Sequence, residues 1–135
     1  MRYMLDTNIC IYAIKKKPET VIRRFLEHDP DEICISSITC AELMHGVEKS
    51  QAADRNRLAL TLFLSPITIL DFDQKASAEY GKLRADLEKR GTPIGPMDML
   101  IAGHAKAEGL ILVTNNTREF CRVEGLRLEN WAEQS

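Results

Sequence analysis

The stretch Tyr3-Met4-Leu5-Asp6-Thr7-Asn8 places three apolar residues directly before three polar ones. A short apolar run of this kind is typical of a strand that is buried on both faces. The polar residues then lie at the carboxyl end of that strand, and the apolar residues between Ile9 and Ile14 predict a helix after them. A buried strand that leads through polar residues into a helix is the unit that predicts the fold.

The same unit returns along the chain. Further strands are predicted at Glu32–Ser36, Ile67–Leu70, Leu110–Val113 and Leu126–Leu128. Helices are predicted between them, among them one with apolar positions at Cys40, Leu43, Met44 and Val47, and others at Asp54–Leu64, Asp73–Arg90 and Met97–Glu108. Short apolar strands that alternate with helices predict an α/β fold with a parallel sheet covered on both faces.

Length and composition set the limits of this prediction. The 135 residues suit one domain over residues 1–135, and 44% hydrophobic with 28% charged residues predict an ordered globule. The net charge of −2 does not favour a dedicated nucleic-acid binder, so any RNA contact must come from a local basic patch. The candidate patches are Lys15–Lys17, Arg23–Arg24, Lys89–Arg90, and Arg118 with Arg122.

Cysteine and histidine usage argues against structural zinc and disulfides. The four cysteines form no C-x-x-C pair and the three histidines form no H-x-x-x-H pair, so we expect buried free thiols and, for His104, a place in the core. Asp6 interrupts the apolar start before a signal-peptide core can form, and no apolar run approaches membrane-spanning length. We therefore expect a soluble cytoplasmic protein.

Three acids occupy positions that suit chemistry. Asp6 ends the first strand, Glu42 lies on the helix after the second strand, and Asp98 lies in the first turn of the helix that begins after Gly95. Each also has an ordinary explanation, namely a helix cap for Asp6, a solvated helix side chain for Glu42 and a favourable helix dipole for Asp98.

The three acids taken together are stronger evidence for a functional site than any one of them alone. In open parallel sheets, ligands bind outside the carboxyl ends of the strands, so carboxylates from three strand–helix junctions can converge there. Without a cation they would repel one another and one would take up a proton. Mg²⁺, or Mn²⁺ as the alternative ion, relieves this repulsion and suits the hydrolysis of a phosphodiester.

Other polar residues surround these acids in the sequence. Asn8 could support a neighbouring carboxylate or form a turn, and the hydroxyls of Ser36 and Ser37 stand at a strand end before Glu42. Asn116 could orient a water molecule, supply a neutral oxygen ligand, or serve only as a turn residue.

Four segments of the chain together resemble the PIN-domain family, and within it the VapC-type toxins of bacterial toxin–antitoxin modules. They are MLDTN at 4–8, ISSITCAEL at 35–43, GPMDMLIA at 95–102 and VTNNTREF at 113–120. Their order and spacing match those of the family, and the resemblance spans nearly the whole chain.

The resemblance implies a three-layer α/β/α sandwich with a central parallel sheet of about five strands. It also implies a magnesium-dependent endoribonuclease with Asp6, Glu42 and Asp98 as metal-site acids. Asn116 stands where the family often has Asp, so the second metal site is open to question and Glu119 becomes a candidate for the fourth acid. Thr114 matches a Ser or Thr beside the site.

The resemblance further implies partners. The most similar members cut tRNA, initiator tRNA in the anticodon stem-loop in particular, and so inhibit translation. Members form homodimers and are inhibited by a cognate antitoxin, whose C-terminal segment lies over the active-site groove. The segments Ile9–Ile14 and Asp54–Leu64 are candidate contact surfaces.

Two other classes of protein stay open. A Rossmann-like phosphatase also uses an aspartate after its first strand, but it needs a second Asp two positions later, where this chain has Asn8. A non-catalytic RNA-binding module would carry the same basic patches without any metal chemistry.

Overall fold

The chain folds into a single sheet surrounded by helices, seen in a computed structural model that describes residues 1–133. The strands are β1 (Tyr3–Leu5), β2 (Ile33–Ser36), β3 (Thr68–Leu70), β4 (Ile111–Val113) and β5 (Leu128–Glu129). The helices are α1 (Thr7–Lys15), α2 (Glu19–Leu26), α3 (Ser37–Glu48), α4 (Ala53–Leu64), α5 (Gln74–Lys89), α6 (Pro96–Glu108) and α7 (Thr117–Phe120), and a short 3₁₀ turn covers Pro30–Glu32.

The five strands are all parallel, in the order β3-β2-β1-β4-β5. Tyr3 is paired with Ile33 on one side and with Ile111 on the other, so β1 is the central strand. The chain first builds the sheet outward from β1 through β2 to β3, and then returns to place β4 and β5 on the opposite side. The strand order therefore reverses beside β1, and the carboxyl end of β1 is the expected ligand crevice.

Side chains of the central strand alternate between two apolar clusters. Tyr3 and Leu5 pack with Ile9 of α1 on one face of the sheet, whereas Met4 packs with Ile101 of α6 on the other. A sheet covered on both faces confirms the predicted three-layer α/β/α architecture with five strands.

Helix α6 is held very close to α5. A Cβ atom at Gly103 would lie 2.8 Å from the Cα atom of Tyr80, so only glycine permits this approach. Helix α6 ends at Gly109, which adopts a left-handed conformation with φ of 67°. These two glycines fix the position of the helix whose first turn carries Asp98.

The predicted elements differ from the observed ones mainly at their ends. Strand β5 lies at Leu128–Glu129 and not at Leu126–Leu128, and the segment after β4 contains the short helix α7. Met44 is one of the apolar positions from which helix α3 was predicted, and the expectation that these positions all face the core is wrong for it, since its side chain is 53% exposed. The buried stripe of α3 centres on Cys40, Leu43 and Val47, and Met44 lies at its margin.

The prediction of buried free thiols is confirmed for three of the four cysteines and is wrong for the burial of Cys121. All four are free thiols, three of them buried and Cys121 exposed. Within residues 1–133, no helix combines the length and the apolar character that crossing a membrane requires.

Candidate active site

Asp6 lies at the carboxyl end of the central strand and is 4% exposed. Its backbone N–H donates to the carbonyl oxygen of Val113 at 3.0 Å, which ties it to β4. Its Oδ1 accepts the N–H of Ile9 at 2.9 Å and caps α1, and its Oδ2 accepts the hydroxyl of Thr114 at 2.5 Å. The helix cap is thus real, and it occupies only one of the two carboxylate oxygens.

The environment of Asp6 disfavours its charge. Its pKa is raised from 3.8 to about 6, with burial as the largest cause and smaller contributions in the same direction from the charges of Asp98 and Glu42. The hydrogen bonds from Thr114 and Ile9 act in the opposite direction but do not outweigh burial. A carboxylate kept in such a place is costly unless a cation accompanies it.

Glu42 is held by a hydroxyl of the helix that follows Asp6. The hydroxyl of Thr7 donates to Oε1 of Glu42 at 2.7 Å, and it lies 3.4 Å from the hydroxyl of Thr39. Because Thr7 is the first residue of α1 and Glu42 belongs to α3, this contact joins two strand–helix junctions.

Asp98 lies in the first turn of α6, which follows α5 through residues 90–95, so the prediction that this acid comes from a strand–helix junction is wrong. Asp98 is half-buried, and burial raises its pKa, with smaller contributions from the charges of Glu42 and Glu119. A Cβ atom at Gly95 would lie 3.4 Å from its Oδ2, so the helix start passes close to this carboxylate. Because the charges of Glu42 and Asp98 raise the pKa of Asp6, and that of Glu42 raises the pKa of Asp98, the three acids share one electrostatic environment.

A chain of hydrogen bonds extends this environment to Glu119. The side-chain amide of Asn116 donates to Oε2 of Glu119 at 2.9 Å, and the backbone N–H of Asn116 donates to the hydroxyl oxygen of Thr114 at 2.9 Å. Thr114 in turn donates to Asp6. Asn116 therefore orients one acid while Thr114 orients another.

Two residues singled out in the sequence are placed differently. Asn8 is exposed and its side chain makes no hydrogen bond within residues 1–133, whereas Thr7 supports an acid, namely Glu42. The hydroxyl of Ser37 accepts the backbone N–H of Phe72 at 3.0 Å, which anchors the connection after β3 and not an acid. Sequence reasoning missed Thr7, whose signal was a hydroxyl next to Asp6 at a helix start.

The donor set fits a hard divalent cation. Within the described part of the chain, no Lys or Arg forms an ion pair with Asp6, Glu42, Asp98 or Glu119. Over the same residues, no three His, Cys, Asp or Glu side chains stand close enough to enclose an ion directly. Mg²⁺ usually keeps several waters and binds through one or two carboxylates, so an unpaired, mutually repelling set suits it without direct enclosure.

An apolar groove begins beside Glu42. It lies between α1, α3 and α4, has a volume of about 300 Å³, and is lined by Ile11, Ile14, Leu43, Val47 and Leu60 with Lys15 at its edge. Two other apolar side chains of α4, those of Leu58 and Leu62, are exposed.

Comparison with known proteins identifies relatives of this chain. The family described as PIN domain matches residues 3–126. The tRNA(fMet)-specific endonuclease VapC of Shigella flexneri is 52% identical over 132 residues, which cover 98% of this chain and 99% of the relative. The Ribonuclease VapC2 of Haemophilus influenzae is 51% identical over 131 residues, which cover 97% and 98%.

A solved structure agrees with this similarity. The DNA-bound VapBC of Salmonella typhimurium contains a chain that superposes on this one with a TM-score of 0.92 at 49% identity. The superposition covers 97% of this chain and 98% of that chain.

Proposed function

The chain belongs to the PIN-domain family, and from this premise we propose that it is a magnesium-dependent endoribonuclease that acts as the toxin of a toxin–antitoxin module. The observation that carries the proposal is a set of carboxylates from three helix beginnings, in which the charges of Glu42 and Asp98 raise the pKa of Asp6. The charge of Glu42 also raises the pKa of Asp98, and within residues 1–133 no Lys or Arg pairs with these acids. Such a set is costly to the fold, and it matches the donors that Mg²⁺ prefers.

The side chains have distinct roles in this proposal. Asp6, Glu42 and Asp98 hold Mg²⁺, with Mn²⁺ as the alternative ion. When bound, the ion supplies positive charge that stabilises the attacking and leaving oxygens of a phosphodiester. Thr114 orients Asp6 through its hydrogen bond. Glu119 is the fourth acid, and Asn116 holds it in place through the side-chain amide.

The substrate is proposed to be tRNA, with the anticodon stem-loop of initiator tRNA as the preferred target, so that cleavage inhibits translation. Support comes from the relative in Shigella flexneri, which is named a tRNA(fMet)-specific endonuclease. Because tRNA serves translation, we propose that the protein acts in the cytoplasm.

The exposed cations suggest how RNA approaches. Arg23, Arg24 and Arg90 already pair with carboxylates. Lys15–Lys17 and Arg118, in contrast, form no ion pair within residues 1–133. Lys15 borders the groove beside Glu42, and Arg118 precedes Glu119 in the sequence, so we propose that these two cations contact phosphates of the RNA near the acids.

The groove is the proposed docking surface of a cognate antitoxin. Its apolar lining from α1, α3 and α4 suits an amphipathic segment, and a basic side chain of that segment would meet Glu42. The structural relative from Salmonella typhimurium is described as a VapBC complex. We also propose a homodimer, with the exposed leucines of α4 as a candidate contact.

The decisive experiment offers the purified chain initiator tRNA, an elongator tRNA and a phosphomonoester, each with Mg²⁺ and with a chelator. We expect cleavage of initiator tRNA in the anticodon stem-loop, none with the chelator, and none by Asp98→Asn. Sequencing of RNA ends after brief expression without antitoxin locates the cut in cells, where growth is expected to stop.

The same experiment separates the other classes. Turnover of the phosphomonoester with intact RNA would identify a phosphatase. RNA binding without cleavage, unchanged in Asp98→Asn, would identify a binding module.

A further inference from the structure

A buried histidine joins the two helices that carry Glu42 and Asp98. His104 lies in the middle of α6 and is fully buried. Its Nδ1 is 2.8 Å from the hydroxyl oxygen of Ser36, which is also fully buried. Ser36 is the last residue of β2 and the N-cap of α3, where its hydroxyl oxygen accepts the N–H of Ile38 at 3.1 Å.

We infer that His104 is a positioning residue that fixes α6 against the start of α3 and thereby sets the separation of Asp98 from Glu42. The inference rests on the proposed function, because it assigns His104 a role toward the same metal-binding acids. His104 itself touches neither the acids nor the substrate, and it acts through Ser36.

The hydrogen bond between His104 and Ser36, called the link below, lies at some distance from both acids along their helices. Asp98 precedes His104 by six residues on α6, and Glu42 follows Ser36 by six residues on α3. At a rise of about 1.5 Å per residue, each acid lies about 9 Å along its helix from the link. A small rotation at the His104–Ser36 contact therefore moves both carboxylates, and it moves them on different helices.

Core stability does not explain this histidine. Its Nε2 is buried and has no hydrogen-bond partner within residues 1–133. An unpaired buried polar atom costs free energy, and an apolar side chain of similar size would fill the space without that cost. The benefit of the histidine must therefore lie in the hydrogen bond that it forms.

The imidazole of His104 is surrounded by groups that influence its charge. Phe72 packs edge-on against the imidazole at 5.4 Å between ring centroids. The charged groups around it are Glu108 on α6, Asp71 and Asp73 before α5, and Lys75 on α5. Burial is the largest influence and lowers the pKa of His104, so the ring is neutral at neutral pH and shares one hydrogen with Ser36.

The test measures Mn²⁺ affinity by calorimetry on the full chain, alongside thermal unfolding and the kcat and KM for initiator tRNA. His104→Leu removes the link, whereas His104→Asn places an amide near the former position of Nδ1 and retains it. We expect His104→Leu to fold normally, to bind Mn²⁺ about tenfold more weakly, and to lose kcat with KM unchanged. His104→Asn is expected to recover most of the Mn²⁺ affinity.

A double-mutant cycle with Ser36→Ala isolates the pair. The losses of Mn²⁺ affinity in Ser36→Ala and His104→Leu should not add, because either change alone breaks the same link. A folded His104→Leu with the Mn²⁺ affinity of the wild type would overturn the inference. Additive losses would do so as well.

Two controls keep the outcome decisive. If His104→Leu does not fold, His104→Asn is compared with His104→Gln, whose amide replaces Nε2 instead; equal Mn²⁺ affinities would refute the link, and weaker binding by Gln would support it. Asp6→Asn serves as the reference for the Mn²⁺ affinity of a chain that lacks one proposed metal ligand. A wild type that binds Mn²⁺ no better than Asp6→Asn would refute the proposed function itself.

Discussion

Asp6 and Asp73 occupy the same local motif and have opposite electrostatics. Each follows a strand and caps the next helix, since Asp6 accepts the N–H of Ile9 at 2.9 Å and Asp73 accepts the N–H of Ala76 at 3.0 Å. The pKa of Asp73 is lowered, chiefly by this backbone hydrogen bond. The pKa of Asp6 is raised to about 6 although it makes the same hydrogen bond.

The difference comes from what surrounds the two caps. Asp73 is exposed and has Lys75 nearby, whereas Asp6 is buried beside Asp98 and Glu42. Asp6 is therefore both a helix cap and a proposed metal-site acid, and the local motif alone does not distinguish it from Asp73. Burial among other acids, without a cation, is the feature that marks a functional carboxylate.

The largest expected difference between Asp6 and Asp73 is the effect of their substitution on RNA cleavage. Asp6→Asn is expected to lower RNA cleavage by more than about a hundredfold, because loss of even an outer-shell partner of a metal site costs up to that much. Asp73→Asn is the matched control and should leave the rate unchanged. The rates are measured on initiator tRNA with Mg²⁺. Comparable losses of cleavage rate in both variants would contradict the distinction between a functional and an ordinary cap.

Stability without metal should respond with opposite signs. Because the pKa of Asp6 is higher in the folded chain, its contribution makes the free energy of unfolding fall as the pH rises from about 4 to about 6. Removing the charge should therefore stabilise the chelator-treated protein at neutral pH, and a shift of this size corresponds to at most about 3 kcal/mol.

The matched change at Asp73 should destabilise. Its lowered pKa contributes stability above the pKa of the unfolded chain, and this stability is lost as the pH falls. Urea unfolding of Asp6→Asn and Asp73→Asn at neutral pH with a chelator measures both effects. A change of the same sign in the two variants would contradict the assignment of their environments.

Removal of the Thr114 hydroxyl should increase the difference between the pKa of Asp6 and that of Asp73. Its hydrogen bond lowers the pKa of Asp6, so Thr114→Val is expected to raise that pKa further and to move the pH dependence of cleavage to higher pH. At neutral pH the rate should fall by about tenfold. Thr114→Ser retains the hydroxyl and should keep the wild-type profile, and an unshifted profile in Thr114→Val would exclude this role.

Glu119 should produce the smallest effect. Its charge raises the pKa of Asp98, so Glu119→Gln is expected to bring that pKa back toward its ordinary value. The cleavage rate should fall by less than about tenfold, with weaker Mg²⁺ affinity. Glu124→Gln, an exposed change in the segment after α7, is the control. A wild-type Mg²⁺ affinity in Glu119→Gln would remove it from the site.

Much of the fold could be predicted because its signals are local. The apolar run before Asp6 predicted β1, and the alternation of such runs with helices predicted the parallel sheet. The boundaries of β5 and the burial of Met44 were harder, because they depend on which neighbour covers each residue. A residue at the margin of an apolar stripe is buried only if another element reaches it.

The sequence by itself determined which acids follow strands and helix starts, because hydrophobic periodicity and capping act over a few residues. Only the tertiary structure decided that Thr7 supports Glu42, 35 residues away, and that Thr114 supports Asp6, 108 residues away. It also decided the charge balance at Asp6, because desolvation and repulsion depend on what packs around a group in space. The amino-acid sequence contains the candidate metal ligands, and the tertiary contacts set the environment of each one.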